Sequence, residues 1–178
     1  MLGLFASCGG GNSITLEVEP QLGELGNFIT PTETEVTVSL TDDKDDGKDI
    51  KRVTSSIAFN VKKAVVSNYS FGLSVVILDA LHNEITTLPD YKIESTSKFS
   101  DGSYVHILSE GPVRAQMNYT EDAEEWNGEA QKMWEKVQKE GKYLVIKIDN
   151  PFAHFEAYNS SDSSTSSSDS TTEREEME

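Results

Sequence analysis

Val113-Arg114-Ala115-Gln116-Met117-Asn118-Tyr119 is the stretch on which the fold turns. Every second residue is apolar, and each one between is charged or an amide. A strand points successive side chains to opposite faces, so this spelling gives one buried face and one wet face. The same period of two recurs in Ile14-Thr15-Leu16-Glu17-Val18, Val36-Thr37-Val38-Ser39-Leu40 and Ile57-Ala58-Phe59-Asn60-Val61. Phe71 to Leu78 is more continuously apolar, as in a central strand covered on both sides. Further strands are expected at Ile85 to Leu88, Tyr91 to Phe99, Tyr104 to Leu108, Tyr143 to Ile148 and Phe152 to Tyr158. Asp46-Gly47, Asp101-Gly102, Glu110-Gly111-Pro112 and Asn150-Pro151 supply the turn chemistry between them. Roughly eight to ten short strands at such spacing predict a mainly β fold, an antiparallel β-sandwich.

One segment breaks the period. From Thr120 to Glu140, Ala123, Trp126 or Asn127, Ala130, Met133 or Trp134, and Val137 recur at three- and four-residue steps. Thr120 reads as an N-cap, with Glu121, Asp122, Glu124 and Glu125 at the positive end of the helix dipole. Lys132, Lys136 and Lys139 load the other end, and Gly141 stops it. The expected element is one inserted α-helix over about 121–139, lying across an end of the sandwich. Gly128 would weaken its middle by about 1 kcal/mol relative to alanine.

The 178 residues suffice for one domain with tails. Three regions separate by composition: an apolar start and glycine tether at 1–13, a domain at 14–158, and a serine-rich acidic tail at 159–178. The tail has no apolar residue but Met177 and is expected to be disordered, because it cannot offset its ordering entropy by burial. Acids outnumber bases 31 to 15, for a net charge of -16. That excludes nucleic acid as a partner, since its binding needs a basic face. It also excludes adhesion to an anionic bilayer through basic patches. No apolar run approaches the ~20 residues of a spanning helix, so a membrane link would be covalent.

Candidates for chemistry are few. Asp42-Asp43-Lys44-Asp45-Asp46-Gly47 is similar to a calcium-binding loop, but Lys44 takes a ligand position and Val53 replaces the closing glutamate. The run reads as a solvated hairpin loop, with an irregular calcium site on Asp42, Asp43, Asp45 and Asp46 as the alternative. His82, His106 and His154 lie on separate predicted elements and lack zinc-ligand spacing. There is no Gly-x-Ser-x-Gly elbow and no phosphate loop opening a helix, so no catalytic residue and no cofactor are expected. Trp126 and Trp134 are the only tryptophans, and they are the candidate contact surface for a glycan or a protein partner.

The one cysteine, Cys8, follows Leu4-Phe5-Ala6-Ser7 and precedes Gly9-Gly10-Gly11. This cluster resembles the end of a bacterial lipoprotein signal, in which the cysteine thiol takes the lipid. A whole signal needs a basic segment and about 7–15 apolar residues. Only Met1-Leu2-Gly3 precede Leu4, and the first basic residue is Lys44. Phe71 to Ile85 is also similar to a hairpin of immunoglobulin-like and fibronectin type III domains. Together these features resemble the small β-sandwich lipoproteins of Gram-negative, Bacteroides-like envelopes. The resemblance implies an immunoglobulin-like or fibronectin-like sandwich, a membrane link through lipid on Cys8, and an outer-membrane-anchored place in the cell envelope. It implies a non-catalytic binding or assembly role, as in glycan capture, fimbrial assembly or adhesion, with the side of the membrane left open. Two other classes stay open: a carboxylate-using envelope enzyme or accessory domain, and an intracellular acidic interaction module with a phosphorylatable tail.

Overall fold

Alternation becomes strand wherever it is clear in the sequence. The computed structural model describes residues 12–93, 96–100, 103–126 and 128–159. The lipobox-like Phe5-Ala6-Ser7-Cys8 and the tail beyond Asn159 lie outside them. The early strands are β1 (Ser13–Gln21), β2 (Ile29–Pro31), β3 (Glu35–Asp45), β4 (Lys48–Val61), β5 (Val65–Ser67) and β6 (Leu73–Asp79). There follow β7 (Glu84–Ile93), β8 (Thr96–Ser100), β9 (Ser103–Leu108) and β10 (Gly111–Asp122). A helix, α1 (Glu129–Glu140), leads into β11 (Gly141–Ile148), and β12 is Phe155–Ala157. The chain is mainly β, with one α-helix among the described residues.

The main sheet closes on itself. Its order is β10-β7-β6-β11-β1-β3-β4-β2, and β10 also pairs with β4, so all its strands except β2 form a ring. Neighbours around the ring run antiparallel with one exception, β1 against β11, which are parallel from Glu17–Tyr143 to Gln21–Lys147. The exception is a matter of parity. Directions alternate around an antiparallel ring, and an odd number of strands must leave one pair parallel. A second sheet has the order β12-β5-β9-β8.

The inward face of each ring strand supplies the core. Leu16, Val38, Ile57, Phe59, Leu73 and Ile146 are among its fully buried members. Burying each such side chain contributes about 1.5–3 kcal/mol before ordering entropy is counted. The Gly23–Asn27 3-10 turn caps one end with Leu25. The opposite end is closed by α1 through Trp134 and Val137.

Two expectations are corrected. The sheet is mixed rather than antiparallel, and the pairings do not establish an immunoglobulin-like sandwich. The helix covers 129–140, not 121–139. Thr120, Glu121 and Asp122 continue β10 along β4 as far as the Asp122–Ile50 pair, so Thr120 caps nothing. Gly128, at φ +119°, stands outside the helical region and marks where the helix starts instead of weakening its middle.

Candidate functional site

The ring has a loose seam between β7 and β10. Strand β10 pairs with β4 along its whole length, but among the described residues it meets β7 only at Ala115–Ile93 and Gln116–Lys92. Beyond that point, toward the helix end, β7 stays with β6 and β10 stays with β4. Their facing edges part, and α1 packs over the opening. The result is a groove of about 340 Å³. Thr86, Thr87 and Leu88 of β7 form one wall, and Tyr119 and Glu121 of β10 form the other. Trp126 and the α1 residues Ala130, Met133 and Trp134 roof it.

Trp126 sits on the turn before α1, not on the helix. Its backbone N–H donates to the Asp122 carbonyl at 3.1 Å, and its carbonyl accepts from Gln131 N–H at 3.1 Å. Its indole Nε1–H donates to Gln131 Oε1 at 2.8 Å, and Gln131 Nε2 donates in turn to Glu135 Oε1 at 2.8 Å. The indole is thereby fixed to the first turn of the helix. Trp134 is held by packing: its Nε1–H is buried with no partner among the described residues. An unsatisfied buried donor costs about 1–3 kcal/mol. Each tryptophan is only 5% exposed, so neither offers the open ring face of a glycan platform. They wall a groove instead.

The polar chemistry of the groove is acidic. Tyr119 Oη donates to Glu121 Oε2 at 2.9 Å. Burial raises the Tyr119 phenol above its ordinary value, and the bond to Glu121 with the charges of Glu121 and Glu125 raises it further. Thr87 Oγ1 donates to Glu84 Oε1 at 3.2 Å on the β7 side. No lysine, arginine, histidine or cysteine lines the groove among the described residues.

The other candidates lie elsewhere. Asp42, Asp43, Asp45 and Asp46 fall on the β3–β4 hairpin, whose Asp46-Gly47 turn has φ +47° and +82°, the two-residue type with both centres left-handed. Across that hairpin Asp42 pairs with Lys51, Asp43 with Arg52 at 3.0 Å, and Asp49 with Lys44 at 3.3 Å. No group of three or more His, Cys, Asp or Glu is arranged to hold a metal ion among the described residues. His82, in the β6–β7 turn at φ +62°, meets Glu19 at 3.1 Å and stacks on the Tyr143 ring at 4.3 Å. His154 lies at the opposite end of the barrel, 3.5 Å from Glu24. His106 is on β9, opposite Ser67. His82 and His154 are not brought together.

Tyr119, Glu121, Met133 and the Thr86–Leu88 edge were not singled out by sequence. A signal did exist in the alternation of β10, which runs past Tyr119 to Glu121 on the same face. Comparison with known proteins found no matching family model, no matching curated protein and no matching solved structure.

Proposed function

We propose that this chain is a non-catalytic binding module of the cell envelope, held to the membrane through lipid on Cys8, with its ligand seat in the groove between α1, β7 and β10. One observation carries the binding reading. Among the described residues the barrel is left unlaced between β7 and β10, and there it presents a concave, mostly apolar space with a few polar groups. Small-molecule sites have this composition and occupy about 300–1,000 Å³.

Support for the anchor is the sequence Phe5-Ala6-Ser7-Cys8 and the resemblance of a mainly β domain to small β-sandwich lipoproteins. An immunoglobulin-like ancestry belongs to that same proposal. Ser13 begins β1 at the helix end, because β1 runs parallel to β11, which starts there. The chain from Cys8 to Ser13 spans at most about 18 Å when extended. A lipid at Cys8 therefore turns the groove end toward the bilayer. No helix among the described residues is long and apolar enough to cross a membrane.

The test of the seat uses cyclohexanol, a small uncharged amphipathic probe. Saturable change in tryptophan emission is expected, because both tryptophans line the groove. Filling the space with Ala130→Phe should abolish that response while the folded circular dichroism spectrum persists. A non-saturating response, or one unaffected by Ala130→Phe in a folded protein, contradicts the seat.

A further inference from the structure

We infer that the groove takes an uncharged carbonyl compound, whose oxygen accepts from the Trp134 indole N–H while its apolar body fills the remaining space. The inference deepens the binding reading above and rests on it.

Among the described residues, five side chains that line the groove can donate a hydrogen bond, and four of them are already committed. Thr86 Oγ1 donates to the Thr87 carbonyl at 3.4 Å, and Thr87 Oγ1 donates to Glu84 Oε1 at 3.2 Å. Tyr119 donates to Glu121, and Trp126 donates to Gln131. Trp134 is the fifth. It is 5% exposed, and its Nε1–H has no acceptor among the described residues and is shut off from bulk water. An indole nitrogen donates and does not accept, so the missing partner is an acceptor. A ligand that carries one into the groove removes the cost of leaving that donor bare.

The rest of the lining decides what carries the acceptor. No lysine, arginine or histidine lines the groove among the described residues, and the chain has a net charge of -16. Such a field repels a carboxylate or a phosphate, so the acceptor is neutral. Leu88, Ala130 and Met133 offer apolar walls to the body of the ligand. Met133 adjoins Trp134 on α1, is 38% exposed and is unbranched, so it can change rotamer as the oxygen seats. A ketone, an ester or a tertiary amide meets these conditions. Each presents an acceptor without charge, and none brings a donor of its own that would need a partner.

Cyclohexanone and methylenecyclohexane share a ring and a trigonal carbon, and they differ in bearing an oxygen or a methylene group there. Each can be titrated into the full chain labelled with nitrogen-15. Cyclohexanone should move the Trp134 Nε1–H resonance downfield and slow its exchange with water, and the hydrocarbon should do neither. In Trp134→Phe, cyclohexanone should lose affinity relative to the hydrocarbon by about three- to tenfold, the range of one neutral hydrogen bond. The hydrocarbon corrects for the change of shape. A Trp134 resonance that answers both probes alike overturns the carbonyl inference, and so does a ratio of the two constants unchanged by Trp134→Phe. Either result leaves the seat itself standing, because the hydrocarbon still binds. If Trp134→Phe does not fold, the wild-type resonance decides alone. Binding of neither probe overturns the inference too, and the cyclohexanol titration then decides separately whether the seat exists.

Discussion

Tyr119 and Glu121 stand two residues apart on one face of β10, and the tyrosine hydroxyl donates to the carboxylate at 2.9 Å. The phenol is held protonated first by burial and then by that bond and its charge. Its folded pKa therefore lies above the unfolded value near 10. The associated stability is fully present below that value and is lost as pH rises through the folded one. In Glu121→Gln the phenol should ionise at lower pH than in the wild type, yet still above the ordinary range, because burial remains. Absorbance titration of the phenolate, with Tyr119→Phe subtracted to isolate this tyrosine, reads both shifts. An unchanged titration in Glu121→Gln would show that the bond does not exist in solution.

The two tryptophans separate packing from hydrogen bonding. Both are 5% exposed, but Trp126 spends its indole N–H on Gln131 while Trp134 has no partner for its own among the described residues. Trp126→Phe loses a bond and leaves Gln131 without its donor. Trp134→Phe removes an unsatisfied donor. Urea unfolding should therefore find Trp126→Phe the more costly, by about 1 kcal/mol. The reverse order would mean that Trp134 has a partner in solution.

Gly141 joins α1 to β11 under close quarters. A Cβ there would lie 2.5 Å from the Val137 carbonyl oxygen and 3.3 Å from side-chain carbons of Ile14 and Leu16. Gly141→Ala should cost about 1–3 kcal/mol through overpacking. Gly26→Ala, whose nearest neighbour would be Leu22 Cβ at 3.8 Å, is the matched control and should cost little. Thermal melts of the two variants make the comparison, and equal losses would argue against the tight helix–strand junction.

The strands were legible because each carries its own signal: a strand with one wet face must alternate, whatever it pairs with. Val36 to Leu40 and Val113 to Tyr119 are buried and exposed by turns as that rule requires, apart from partial burial at the edges. The parallel β1–β11 pair was not legible, because it joins residues far apart in sequence and leaves no mark on either strand. The start of the helix misled for a definite reason. Acids at 121–125 suit a helix N-terminus as well as a strand end, and only the ladder to β4 through Asp122–Ile50 decides between them. Gly128 carried the deciding hint, since glycine permits the positive φ that bars a helix from passing through it. Of the groove, the sequence offered the two tryptophans and not Glu121, whose role depends on how β7 and β10 part.

The proposed anchor has a direct chemical consequence. Expressed in a Gram-negative host with a functional export signal ahead of Phe5, the protein should partition into detergent, and Cys8→Ser should return it to the aqueous phase. If both versions stay aqueous, Cys8 carries no lipid.

The groove at the helix end is the centre of the account, and intermolecular nuclear Overhauser effects from bound cyclohexanol locate the probe on the protein. Contacts to the Met133 methyl and to the Trp126 and Trp134 indoles are the predicted result. Phe152, 73% exposed, and Tyr69, 53% exposed, offer a rival apolar surface on loops joined at the far end of the barrel by the Asn150–Ser70 hydrogen bond. Contacts confined to those two residues, or no contacts at all, would contradict the assignment of the groove as the ligand seat.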